Sequence, residues 1–128
     1  MIFSSYWSAQ IYFGLKKITE GHGSFLKGKI NKNFLIDDYN ILPLICYEVI
    51  FTDFIQKSKE ETNLIINISE DGWFGKSIGP KQHFTHSIFR ALESGKYVVR
   101  SSNNGKAAVV NPLGIVEQSV KFGQSGFI

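Results

Sequence analysis

Two short apolar runs, Ile41-Leu42-Pro43-Leu44-Ile45 and Leu64-Ile65-Ile66-Asn67-Ile68, bracket a polar stretch with room for one short helix. The first, from Asn40, predicts a strand. The second is consistent with a strand buried on both faces. Between them, Phe51 to Glu61 predicts a short helix, with Thr52 as its N-cap and Phe54 and Ile55 on its buried face. Residues 72–79 read as a glycine-punctuated loop. Pro80 to Ser94 is the clearest helix, because proline suits a first turn and Gly95 is placed to end it. Phe84, Ile88, Ala91 and Leu92 share its expected apolar face. Tyr97 to Arg100 and Lys106 to Val110 predict strands. Asn111-Pro112-Leu113-Gly114 predicts a turn, and Ile115 to Val120 the return strand of a hairpin. Strand, helix, strand, helix, strand, hairpin is the order of an α/β fold.

The first part of the chain constrains less. Residues 1–15 keep neither the period of a strand nor that of a helix, and residues 16–33, rich in Gly and Lys, predict a long loop. Much of the net charge of +3 gathers there, where Lys16, Lys17, Lys27, Lys29 and Lys32 face only Glu20. A nucleic-acid binder would show a basic stripe with exposed aromatics, or a known module. Neither is visible, so no nucleic-acid partner is expected. The segment reads as a solvated loop, with contact to an anionic membrane surface as the alternative. No stretch reaches the roughly 18 to 20 apolar residues that span a bilayer. Met1 to Leu15 also lacks the basic start and small-residue cleavage site of a signal peptide. Taken alone, the chain reads as soluble and without an export signal, which fits a cytoplasmic location. Its 128 residues are one domain or part of one, and eleven phenylalanines imply a real core or an interface.

Cys46, the single cysteine, follows the first apolar run in Cys46-Tyr47-Glu48. It cannot form an internal disulfide, which leaves packing, redox chemistry or catalysis. A thiol at a strand-to-helix turn projects into solvent, and the N–H groups after it can stabilise an oxyanion. A buried free cysteine, by contrast, behaves as a small hydrophobe. An unassisted thiol, with a pKa of about 8.5, is only a few per cent thiolate at neutral pH. The polar string Asn67-Ile68-Ser69-Glu70-Asp71-Gly72-Trp73-Phe74-Gly75 lies where a buried strand ends, which is where α/β folds place ligand sites. Trp73 and Phe74 there either line a pocket or plug the core. Asn67-Ile68-Ser69 matches a glycosylation acceptor, a chance match in a buried strand. His83 and His86 stand three apart on the expected helix, and a two-ligand metal site is conceivable. No further Cys/His cluster accompanies them, so a surface position or a hydrogen-bonded core histidine is the plainer reading. A Cys46–His83 thiol–imidazole pair rests on no spacing rule. Arg100-Ser101-Ser102-Asn103-Asn104-Gly105 reads as a polar loop that could meet the Trp73 loop in space. No metal or cofactor is expected.

Taken together, these strings resemble one family. Ile45-Cys46-Tyr47-Glu48, the run from Asn67 to Pro80, Gln82-His83-Phe84, Arg90-Ala91-Leu92-Glu93 and the run from Arg100 to Gly105 look like the apolipoprotein N-acyltransferases. These are membrane-bound members of the nitrilase, or carbon–nitrogen hydrolase, superfamily. The resemblance covers residues 14–128; residues 1–13 do not resemble the family. It implies the C-terminal half of an α-β-β-α sandwich and a Glu-Lys-Cys triad. Cys46 would be the nucleophile, with Tyr47 and Glu48 supporting it and Trp73 and Phe74 near substrate. The implied substrates are a phospholipid acyl donor and a lipoprotein acceptor, at a bacterial inner membrane with the catalytic domain on the periplasmic side. The family's base glutamate and its lysine string match nothing among the 45 residues before Cys46. The chain therefore reads as a truncated carbon–nitrogen hydrolase domain. A non-catalytic, partner-dependent remnant and a soluble nitrilase-like amidase stand as alternatives.

Overall fold

The computed structural model describes residues 33–58 and 60–128. The lysine-rich loop expected before Asn33 and the start expected over residues 1–13 lie outside the described residues. Among the described residues six strands form one sheet whose spatial order is the chain order. They are β1 (Phe34–Ile36), β2 (Tyr39–Ile45), β3 (Leu64–Glu70), β4 (Tyr97–Asn103), β5 (Ala107–Val110) and β6 (Val116–Val120). β1 and β2 form an antiparallel hairpin, with Asp37 at φ 50° in its tight turn. β2, β3 and β4 run parallel. The parallel pairs need crossovers, supplied by α1 (Thr52–Ser58) and α2 (Gly79–Ser94). β4, β5 and β6 close the sheet as an antiparallel meander. The mixed sheet with its crossover helices is the expected α/β class.

Among the described residues β1 pairs only with Tyr39–Ile41, so no described strand pairs with that side of β2 beyond this point, a place that tolerates Pro43. On one face of the sheet Leu42, Leu44, Ile65, Val98, Ala108 and Val110 are buried with Val49, Ile55, Phe84 and Ala91. β3 is not buried on both faces, as its apolar run had suggested. Strand side chains alternate, so Ile65 is buried while Ile68, on the opposite face, is 55% exposed. Ile45 and Tyr97 are exposed on that same second face.

α2 begins at Gly79, carries Pro80 in its first turn and ends at Gly95, whose φ of 66° is left-handed. Its buried face differs from the expected one. Pro80, His83, Phe84, Ser87, Arg90, Ala91 and Ser94 are buried, whereas Leu92 is half exposed. α1 is shorter than expected, and Thr52 is its first residue rather than its cap. β4 begins at Tyr97 as expected but runs past Arg100, and Ser101 to Asn103 belong to it instead of a loop, because their backbone pairs in register with Ile68 to Glu70.

Candidate active site

β2 delivers Cys46 to the first position of a 3-10 turn, Cys46–Ile50. Cys46 has φ 49°, a left-handed conformation that costs a non-glycine residue on the order of 1 kcal/mol or more. Such a backbone persists only where its surroundings hold it, and here they hold it from two sides. On one side the buried Glu48 carboxylate accepts the Ile45 N–H at 2.8 Å, which ties the turn back onto the strand. Arg90 of α2 donates to the Ile50 carbonyl at 3.1 Å and to Glu93 at 2.9 Å, clamping the far end of the turn.

On the other side the Cys46 carbonyl oxygen takes a hydrogen bond from Asn67 Nδ2 at 3.2 Å and lies 3.2 Å from His83 Nε2. A carbonyl can only accept, so this contact is a hydrogen bond when His83 carries its hydrogen on Nε2. Asn67 Nδ2 also reaches the Leu44 carbonyl at 3.0 Å, and its Oδ1 accepts from Arg100 Nη1. Asp71 completes the set. Its Oδ1 lies 2.8 Å from His83 Nδ1, and Arg100 Nη2 donates to both its oxygens at 2.9 and 2.8 Å. Ser69 donates to Asp71 at 3.2 Å. All five of these side chains are buried. They converge for a simple reason: Asn67 and Ser69 are on the inward alternation of β3, Arg100 is on that of β4 at the register partner of Asn67, and His83 is on the buried face of α2.

Burial alone would raise the Asp71 pKa. The Arg100 charge, with hydrogen bonds from Arg100 and His83, outweighs it and holds the carboxyl below its ordinary 3.8. The ionised Asp71 therefore contributes stability above the unfolded value of 3.8, and that stability is lost as pH falls through the lower folded value. Urea midpoints taken from pH 5 to 2 are expected to fall steeply for the wild-type chain and less steeply for Asp71→Asn. Equal slopes would remove Asp71 as the cause.

Beside the turn lies a cleft of about 410 Å³. Tyr47, Phe74 and His83 give it an aromatic wall, with Tyr47 and Phe74 ring centroids 5.1 and 5.6 Å from His83. Gln82, Thr85 and His86 give it a polar rim. Burial, and then the Arg90 guanidinium, lower the His86 pKa, which favours its neutral imidazole. Phe74 thus reaches the cleft, but Trp73 does not line it and is 87% exposed. The two sit in the 3-10 turn Gly72–Phe74, where consecutive side chains point about 120° apart. The thiol–imidazole pair of Cys46 and His83 conceived from sequence is replaced by a different contact, in which His83 Nε2 lies 3.2 Å from the Cys46 backbone carbonyl oxygen. Among the described residues no three His, Cys, Asp or Glu side chains gather as a metal site needs. The Asp71–Arg100 pair at the heart of the site went unmarked in the sequence. Its members lie 29 residues apart, with no local signal to join them.

The carbon–nitrogen hydrolase family model matches residues 4–126. An apolipoprotein N-acyltransferase of Rickettsia bellii is 42% identical over 117 residues, 90% of this chain and 22% of that protein. One of Wigglesworthia glossinidia brevipalpis is 47% identical over 102 residues, 79% of this chain and 20% of that protein. The chain thus spans about a fifth of the length of these curated relatives. In fold it is similar to a carbon–nitrogen hydrolase superfamily protein of Xanthomonas campestris, with TM-score 0.66 at 17% identity over 79% of this chain and 43% of the other. It is similar too to a nitrilase superfamily protein of Saccharomyces cerevisiae, with TM-score 0.67 at 20% identity over 77% and 39%.

Proposed function

The chain belongs to the carbon–nitrogen hydrolase family, and from that premise we propose that it carries the nucleophile of an apolipoprotein N-acyltransferase. The observation that supports this reading most is Cys46 itself. It is a partly exposed thiol on a left-handed backbone at a strand end, beside a cleft with an aromatic wall. The Cys46 thiolate attacks an ester carbonyl of a phospholipid, a C–S bond forms, and the lysophospholipid leaves as the C–O bond breaks. The amine of a lipoprotein's N-terminal residue then attacks the thioester, and the thiolate departs with the new amide made. Tyr47 and Phe74 are the side chains best placed to meet the acyl group. Glu48 supports the reaction by holding the turn through the Ile45 N–H. Trp73, which is exposed and outside the lining of the cleft, is the weaker candidate for substrate contact. We assign the base glutamate and the lysine of the resemblance to no residue of this chain. A phospholipid donor implies work at a membrane surface, and among the described residues no helix is long and apolar enough to cross one.

Purified chain incubated with phospholipid vesicles is expected to gain one acyl mass, labile to hydroxylamine, by intact-mass spectrometry. Cys46→Ala is expected to gain none. An unmodified wild type, or an equal adduct on the variant, would overturn the proposal.

A further inference from the structure

We propose that Asn67 and His83, held in turn by Asp71 and Arg100, are positioning residues that aim the Tyr47 backbone N–H at the oxygen of an acyl group bound to Cys46. The inference rests on Cys46 being the nucleophile. The Cys46–Tyr47 peptide is trans, so its C=O and N–H point to opposite sides. The C=O is turned inward, where Asn67 Nδ2 and His83 Nε2 each lie 3.2 Å away. The N–H is therefore turned outward, away from the buried side chains. As the second residue of a 3-10 turn, Tyr47 is among the positions whose N–H has no partner within the turn.

The two donors are themselves fixed. Asn67 Oδ1 is held by Arg100, His83 Nδ1 is 2.8 Å from Asp71, and Arg100 grips both Asp71 oxygens. Buried groups coupled in this way hold one orientation, since each alternative leaves a polar atom unpaired out of reach of water. A core that merely filled space would not need two independent donors on a single backbone oxygen. An N–H aimed at a developing oxyanion stabilises the transition state without reorganising, and removing one such donor typically costs about 100-fold or more in rate.

Two reagents separate aiming from simple support of the fold. With 4-nitrophenyl acetate, the Cys46 sulfur bonds to the acyl carbon and the carbonyl pair moves to oxygen. Collapse then expels 4-nitrophenolate, and the thiol proton goes to buffer. With iodoacetamide the sulfur displaces iodide at a saturated carbon, and no oxyanion forms. Both rates are read on the full chain, with Cys46→Ala as background. His83→Asn is too short to reach the Cys46 carbonyl, and Asn67→Ser loses the other donor. Each is expected to lower the ratio of ester to alkylation rate about 10-fold or more. His83→Gln, whose amide can still donate to that carbonyl, is expected to keep the ratio within about 3-fold of wild type. A ratio that stays put in both His83→Asn and Asn67→Ser overturns the proposal, as does a His83→Gln ratio as low as that of His83→Asn. Because the ester carries no lipid, failure of vesicle acylation with these ratios as expected would sink the lipid substrate and leave the positioning role standing.

Discussion

Arg100→Leu is expected to remove about 3 to 5 kcal/mol of the chain's stability. The substitution strips a fully buried Asp71 of the guanidinium that grips both its oxygens. Removing one partner from a buried pair costs about 3 to 5 kcal/mol, because the other charge stays behind in a medium of low polarity. A domain of this size has only about 5 to 15 kcal/mol in all, and Arg100 also holds Asn67. Urea titration followed by circular dichroism measures the loss. Asp71→Leu combined with Arg100→Leu should recover part of it, since the stranded charge goes too. A single-variant loss of about 1 kcal/mol or less, or a double variant that loses the sum of both singles, would show that the pair is not the keystone inferred here.

Gly105→Ala should have the next largest effect. Gly105 is buried after β4, and a Cβ built on it would overlap the Asp71 carboxylate and the Ser102 hydroxyl. Asp71 is the one group that cannot give way, being fixed by Arg100 and His83. Overpacking alone costs about 1 to 3 kcal/mol, and displacing the carboxylate adds to it. At about 4 to 8 °C per kcal/mol for a domain near 100 residues, the melting temperature should fall by about 10 °C or more. Gly75→Ala is a useful contrast, because a Cβ there meets nothing within 4 Å and only its φ of 54° opposes it. A melting temperature for Gly105→Ala within about 2 °C of wild type would refute the close packing.

The parts of this fold legible in the sequence are those set by local chemistry. Pro80 and Gly95 mark the ends of α2 because one fits a first turn and the other adopts a left-handed cap. Asn111 to Gly114 reads as a turn because the Asn111 side chain accepts the Leu113 and Ile115 N–H groups. What could not be read locally is the polar interior. Apolar periodicity placed Phe84 and Ala91 correctly on the buried face of α2 and Leu92 wrongly, and it gave no sign of the buried His83, Ser87, Arg90 and Ser94 beside them. Those side chains are buried because their partners come from elsewhere in the chain: Arg90 meets Val49 and Ile50, and His83 meets Cys46 and Asp71. The residues after Arg100 looked like a loop for the same reason, since polar residues in a strand make sense only once the neighbouring strand is in register. Cys46 was visible as a candidate from its position after β2. The left-handed backbone that presents it was not, because Glu48, Asn67 and His83 together impose it.

The sheet order, in which each strand lies beside the one made just before it, has a consequence for biosynthesis. A chain leaving the ribosome never has to keep a gap open for a later strand, because every new strand adds to the growing margin. The thiol follows a different schedule. Glu48 emerges with Cys46 at once, Asn67 some twenty residues later, His83 after that and Arg100 last of all. The reactive sulfur is thus translated before most of its setting, which is complete only when Arg100, on the order of fifty residues later, has been made.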